Sequence, residues 1–252
     1  MELQQILERY AEAIEAIDAD PPAPGANRRT GVIYHPGFKS MSEKQAIEAV
    51  DQVWEHLHPG ERSHHLCEQR YPTLPRSAKL DHLLSSSDHD DETEPEWGIE
   101  IKRLQSFGDN GKVNDFLTAK VLSPYLRDRS LLHDALRLRE HSFTKRSAVV
   151  GYGFNYDAAT VEEALERFKG DESALGAVRS IRKTIEASGP MRLDPLIEFA
   201  DSILRLRGFT RGPRAQAAFR ATSHPAGGQG ILFGWEIRVP RREPDYDPRH
   251  PW

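Results

Sequence analysis

The chain has 252 residues, 38% apolar and 29% charged, with a formal charge of −5. That length suits one domain with appendages, or at most two, and leaves room for a real core. The composition excludes full-length disorder, and no run nears the about 18 consecutive apolar residues of a membrane-crossing helix. A single cysteine, Cys67, excludes an internal disulfide and any multi-cysteine metal centre, so a reducing cytoplasm is the expected home.

Leu3, Ile6, Leu7, Tyr10, Ile14 and Ile17 recur at helical steps, which predicts an amphipathic helix over 3–17 with no basic leader before it. Its acidic polar face argues for core packing or a dimer contact rather than a membrane surface. Asp20-Pro21-Pro22-Ala23-Pro24-Gly25 reads as a semi-rigid linker. A second helix should start at Ser42, which has capping-box spacing to Gln45, and end at His58-Pro59-Gly60. Residues 63–84 read as two extended segments divided by Pro72 and Pro75. Six acids and no Lys or Arg then lie between Asp88 and Glu96.

Trp97 to Leu104 alternates as a strand, with 99, 101 and 103 facing one way and 98, 100, 102 and 104 the other. Gly108-Asp109-Asn110-Gly111 is a turn, with helices expected at 113–122 and 131–138 and a buried strand at 148–154. Helices follow near 160–168, 172–187 and 193–206. Strands at 215–222 and 231–239 flank a hairpin connection over Pro225–Gly230. Eight arginines against one acid fall between Ser202 and Arg242, a local charge of about +7 in a negative chain. The last ten residues, rich in proline and charge, are expected to be loose.

The chemistry concentrates between Lys79 and Lys102. Asp81 sits in Lys79-Leu80-Asp81-His82-Leu83-Leu84, and Glu100-Ile101-Lys102 follows nineteen residues later on its own strand. A carboxylate framed by apolar residues on each of two neighbouring strands is costly to bury unless paired or bound to a cation. Together the two would hold a hard divalent ion through oxygen. Lys102, two residues from Glu100, shares its side of the strand and could stabilise charge on a phosphoryl oxygen. The bland alternative is an exposed edge strand with a Glu–Lys surface pair.

Asp81, Glu100 and Lys102, in that order, resemble the PD-(D/E)xK nuclease superfamily, which includes most type II restriction endonucleases. The frame over residues 42–154 is similar as well: a helix, three strands, a helix and another strand. Leu80 stands where the motif often has proline, and the acidic run fills the spacer. The resemblance implies an α/β restriction-endonuclease-like fold, with a mixed central β-sheet flanked by helices. It implies cleavage of double-stranded DNA with Mg²⁺, for which Mn²⁺ can substitute. Asp81, Glu100 and the Ile101 carbonyl would be metal ligands, and Lys102 the catalytic lysine. An accessory acid is expected from Glu43, on the inward face of its helix, or from Glu68. The surface readings of both are a helix-N-terminal charge and a strand acid.

Gln105, Lys112 and Lys120 are candidate DNA contacts, as are basic residues between Arg127 and Arg146. Arg211, Arg214, Arg220 and Arg238 are candidates for base readout, since arginine can bind guanine bidentately. The division expected is 1–25, helix and linker; 26–158, nuclease core; and 159–252, a helical and β-hairpin extension. His64, His65 and Cys67 lack a second ligand pair for zinc, and neither Gly151-Tyr152-Gly153 nor Gly227-Gly228-Gln229-Gly230 completes a nucleotide-binding fingerprint. No nucleotide cofactor or membrane partner is therefore expected. The expected function is a Mg²⁺-dependent DNA endonuclease of the type II restriction kind, and a homodimer is expected because a C2 dimer reads a palindromic site most simply. The alternatives are a non-specific or structure-selective repair or defence nuclease, an inactive nucleic-acid-binding module of the same fold, and a protein-interaction domain.

Overall fold

In the computed structural model, residues 1–27, 30–75, 77–89, 94–114, 120–121 and 130–238 are described. Helix α1, Leu3–Ala19, buries the stripe read from its periodicity, from Leu3 to Ile17. Helix α2, Glu43–Leu57, begins at the expected capping box: Gln45 N–H donates to Ser42 Oγ, and Ser42 N–H donates to Gln45 Oε1. Then come β1 (Arg62–Arg70), β2 (Lys79–Ser86), β3 (Trp97–Leu104), α3 (Leu131–His141) and β4 (Arg146–Phe154). Three helices, α4 (Ala158–Arg167), α5 (Glu172–Ser188) and α6 (Asp194–Leu206), precede the hairpin of β5 (Arg211–Ala221) and β6 (Gly228–Ile237). Of the helix expected at 113–122, Lys120 and Val121 are helical, but Val113 forms an isolated β-bridge with Phe107 and Asn114 is not helical; 115–119 and 122 lie outside the described residues, as do the last ten.

The strands form one mixed sheet in the order β1-β2-β3-β4-β6-β5, antiparallel throughout except for the parallel pair β3–β4. That parallel pair requires a crossover, and α3 lies within it. Alternation along β3 sorts its side chains between two apolar layers. Trp97, Ile99 and Ile101 pack with α1 and α2, while Leu104 packs with α3 and α6. The hairpin expected as a C-terminal extension continues this same sheet, with β6 beside β4, and α1 packs across both hairpin strands.

At the free edge of β5, side chains of α1 bond to the backbone. The Gln4 amide donates to the Gln216 carbonyl at 2.9 Å and accepts from the Gln216 N–H at 3.0 Å. Glu15 accepts from the Arg220 N–H at 2.8 Å. Between β4 and β6 the fit is tight at Gly151, where a Cβ would lie 2.3 Å from Phe233 Cζ.

Candidate active site

Strands β2 and β3 pair only from His82–Ile99 to Leu84–Trp97, then diverge. The gap is filled by carboxylates. Asp81 accepts from the Ile101 N–H at 2.7 Å, and Glu43, in the first turn of α2, accepts from the Arg103 N–H at 3.0 Å. Residues 101 and 103 present their amides at the same edge of β3, and the Ile101 carbonyl leaves that edge beside its own N–H. The fold thus gathers Asp81, Glu43 and the Ile101 carbonyl at one open strand edge.

Glu100 is 1% exposed, and its Oε1 accepts from the Tyr71 hydroxyl at 2.6 Å and lies 3.3 Å from Arg137 Nε. The charge of Asp81 also bears on this carboxyl group. Lys102 places Nζ 3.1 Å from Asp134 Oδ2, and the other Asp134 oxygen is held by Arg137. Asp134 and Arg137 stand three apart on α3, so one helix face brings both to the site.

Three carboxylates, Asp81, Glu100 and Asp134, face two cations, Lys102 and Arg137, leaving one negative charge in excess. The proton affinities reflect this. Burial raises Asp81 to about 6, although the Ile101 N–H and Lys102 oppose it. Burial, then the charges of Asp81 and Asp134, lift Glu100 well above the usual carboxylate range. Burial works against the Lys102 ammonium, but Asp134, Glu43 and Asp81 outweigh it and hold it charged. For Glu43, burial is outweighed by Lys102, Lys120 and the Arg103 N–H, so it stays ionised.

Compared with protein-family models, curated proteins and solved structures, the chain matches none.

Of the residues singled out in the sequence, Asp81, Glu100, Ile101, Lys102 and Glu43 come together. Lys120 joins them, 3.6 Å from Glu43. Glu68 does not: at φ 57°, in the left-handed region, it pairs with Lys79 at 2.9 Å. Gln105 donates to the Phe107 carbonyl at 3.0 Å, and Lys112 is exposed beyond the turn.

The hairpin arginines stand apart from the site, β5 being three strands from β3, or roughly 14 Å of sheet. Arg211 pairs with Asp201 at 2.5 Å, Arg214 pairs with Glu198, and Arg220 pairs with Glu163. Acids of α4 and α6 thus engage three arginines that the sequence offered for base readout, Glu163 and Asp201 each being shared with a second arginine, Arg167 and Arg205. Arg238 is exposed at the end of β6. Among the basic residues of 127–146, Arg137 turns inward, and Arg146 pairs with Glu2 and Glu236 while covering Trp97. Arg127 and Arg129 lie outside the described residues.

Sequence reasoning missed Asp134 and Tyr71 and gave Arg137 an outward role. The Asp134-x-x-Arg137 spacing on an apolar helix was the available signal, but nothing local to it indicates which charges turn inward.

Among the described residues, two clusters offer three ligand-type atoms within 4.8 Å: His35, Asp109 and His224; and Asp51, Cys67 and His82. Protons already fill both. Ala226 N–H donates to His224 Nδ1, so Nε2 carries the ring proton and donates it to Asp109 at 2.9 Å. His82 Nε2 lies 3.0 Å from Asp51, whose carboxyl is held well below the usual range, so Nε2 donates and Nδ1 accepts from Tyr10. Burial pushes the Cys67 thiol up to about 12, leaving it protonated. Either cluster would have to give up these protons to ligate a cation.

Proposed function

We propose that the chain is a divalent-metal-dependent DNA endonuclease built on a restriction-endonuclease-like fold. The observation that carries this reading is the closely placed carboxyl groups of half-buried Asp81 and buried Glu100, each raising the other's cost of ionisation, beside the Ile101 backbone and the Lys102 ammonium. The element order α2-β1-β2-β3-α3-β4 around that pair supports the finer fold assignment.

The donor set fits a hard cation. Two carboxylates and a backbone carbonyl are oxygen ligands of the kind Mg²⁺ takes, and the excess negative charge calls for a positive partner. Asp81, Glu100 and the Ile101 carbonyl would hold the ion, with Mn²⁺ as a substitute. When bound, it supplies Lewis-acid polarisation of the phosphoryl group and acidifies a water.

The remaining roles belong to the chain. Asp134 fixes Lys102 so that its ammonium can stabilise charge on a phosphoryl oxygen. Tyr71 and Arg137 orient Glu100 through Oε1. Glu43 keeps the open edge of β3 acidic and is itself held by Lys120.

Whether cutting is site-specific depends on readout. A type II restriction enzyme acting as a homodimer on duplex DNA is one form of this proposal. Engagement of Arg211, Arg214 and Arg220 in ion pairs within the chain supports the other, a non-specific nuclease or one that selects structure rather than sequence. Plasmid digestion with Mg²⁺ or EDTA, using wild type and the single changes Asp81→Ala, Glu100→Ala and Lys102→Ala, tests both. Metal-dependent cutting lost in all three variants supports the site; discrete fragments indicate restriction and smears the second form. No cutting of methylated or unmethylated DNA would move the assignment to a binding module.

A further inference from the structure

A large cleft opens between the segment around Tyr34, the first turns of α2 and the loop after β3, with a volume of about 1610 Å³. Small-molecule pockets span roughly 300–1,000 Å³. This space suits a chain-like ligand better than a single small one.

Two cations meet in it, with the acids Glu43 and Asp109 near them but held by other groups. Lys39 is 4% exposed, and its Nζ donates to the Phe107 carbonyl at 2.7 Å. The Arg103 guanidinium donates to the carbonyls of Met41 at 2.5 Å and Lys39 at 3.3 Å. Among the described residues, no acid forms an ion pair with either side chain. Asp109 lies nearby but is engaged by the His35 N–H and ring and by His224. At the rim, Lys44 pairs with Glu48.

Burial, and then repulsion from Arg103, bring the Lys39 pKa down to about 7, so the pair is strained by its own charge. Neighbouring buried cations are costly unless an anion joins them. Arg103 also follows Lys102 directly in β3, on the opposite face of the same open edge.

We propose that Lys39 and Arg103 form a phosphate-binding subsite for the backbone of an unpaired nucleic-acid strand lying in this cleft. Lys39, at 4% exposed, lies below the surface, where one flexible strand can bend in but the rigid backbone of a duplex cannot. The inference rests on the nuclease reading for the direction of the strand, but its binding can be measured without cleavage.

The test is fluorescence anisotropy of an end-labelled single-stranded DNA oligonucleotide in EDTA, over a salt series. Wild type and Lys169→Met, an exposed lysine outside the cleft, should bind alike. Lys39→Met, which keeps the aliphatic stem, and Arg103→Gln should each weaken binding at least about tenfold and lower the slope of log K against log salt by about 0.7. A competition arm with a nucleoside monophosphate and inorganic phosphate separates the sources of the anion. Competition as strong as that of unlabelled oligonucleotide would assign the subsite to a free nucleotide or phosphate and overturn the strand proposal. Absence of wild-type binding, or unchanged affinity and slope in both variants, overturns the subsite. If Lys39→Met fails to fold, Arg103→Gln decides alone. Binding lost in the variants while wild type never cuts DNA would remove the nuclease reading and leave the subsite standing.

Discussion

If Asp81 and Glu100 are kept close for a cation, removing one charge should strengthen the metal-free fold. Asp81→Asn is the sharpest form of this change, because the amide oxygen can still accept the Ile101 N–H. A carboxyl raised from the usual value of about 3.9 to about 6 opposes folding once it ionises. Two units correspond to a ceiling of about 3 kcal/mol, and Asp81 is only half-buried, so about 1–3 kcal/mol is expected. For a chain of this size that is a rise in Tm of about 3–10 °C. The sign follows from the raised folded pKa. The Asp81 contribution favours folding below the unfolded pKa and is lost as pH rises through 6, so the variant's advantage should be full at pH 7.5 and vanish near pH 4. Thermal melts in EDTA at the two pH values, repeated with Mg²⁺, measure this. Wild type should gain stability from the ion and the variant should not. A variant less stable than wild type at pH 7.5 in EDTA would mean that Asp81 is a structural partner, and the argument from charge excess would fail.

Gly151→Ala should cost about 3 kcal/mol or more in urea unfolding, because the added methyl meets the Phe233 ring across β4 and β6; a loss under about 1 kcal/mol would mean that the ring moves freely. Arg62→Met should cost about 3–5 kcal/mol in the same assay, since it leaves Asp51 buried without the guanidinium 2.5 Å away. Burial opposes the Asp51 charge, but the hydrogen bond from His82, then the charge and hydrogen bond of Arg62, hold the folded pKa far below the unfolded one. That contribution is present above about pH 4 and lost on acidification, so the urea midpoint should fall more steeply below pH 4 in wild type than in Arg62→Met. Asp134→Asn should lower the cutting rate at least about tenfold and leave little further loss when combined with Lys102→Met, as expected if Asp134 acts through Lys102; additive losses would refute that coupling.

Much of this fold is legible because its elements carry local signals. The Ser42–Gln45 capping box, the prolines between β1 and β2 and the alternation of β3 each act within a few residues, and each appears where the sequence puts it. The site was legible in part for the same reason: two acids and a lysine framed by apolar strands imply a burial problem that the structure displays. Its supports were not. Asp134 and Arg137 reach Glu100 and Lys102 only because the β3–β4 crossover lays α3 over them, a long-range consequence of sheet order. The ion pairs of the hairpin arginines were illegible for a related reason, since their acids lie on separate helices.

The bonds from Gln4 and Glu15 to the outer strand β5 also constrain self-association. A strand edge recruits another chain only where its amides and carbonyls are free, and here α1 already occupies several of them. Two copies meeting on a palindromic duplex would not be spliced into a continuous sheet at that edge without lifting the helix. Their contact would fall on helix faces or on the far strand β1. A chain whose first helix were displaced would expose β5 as a template, with ordered aggregation as the result.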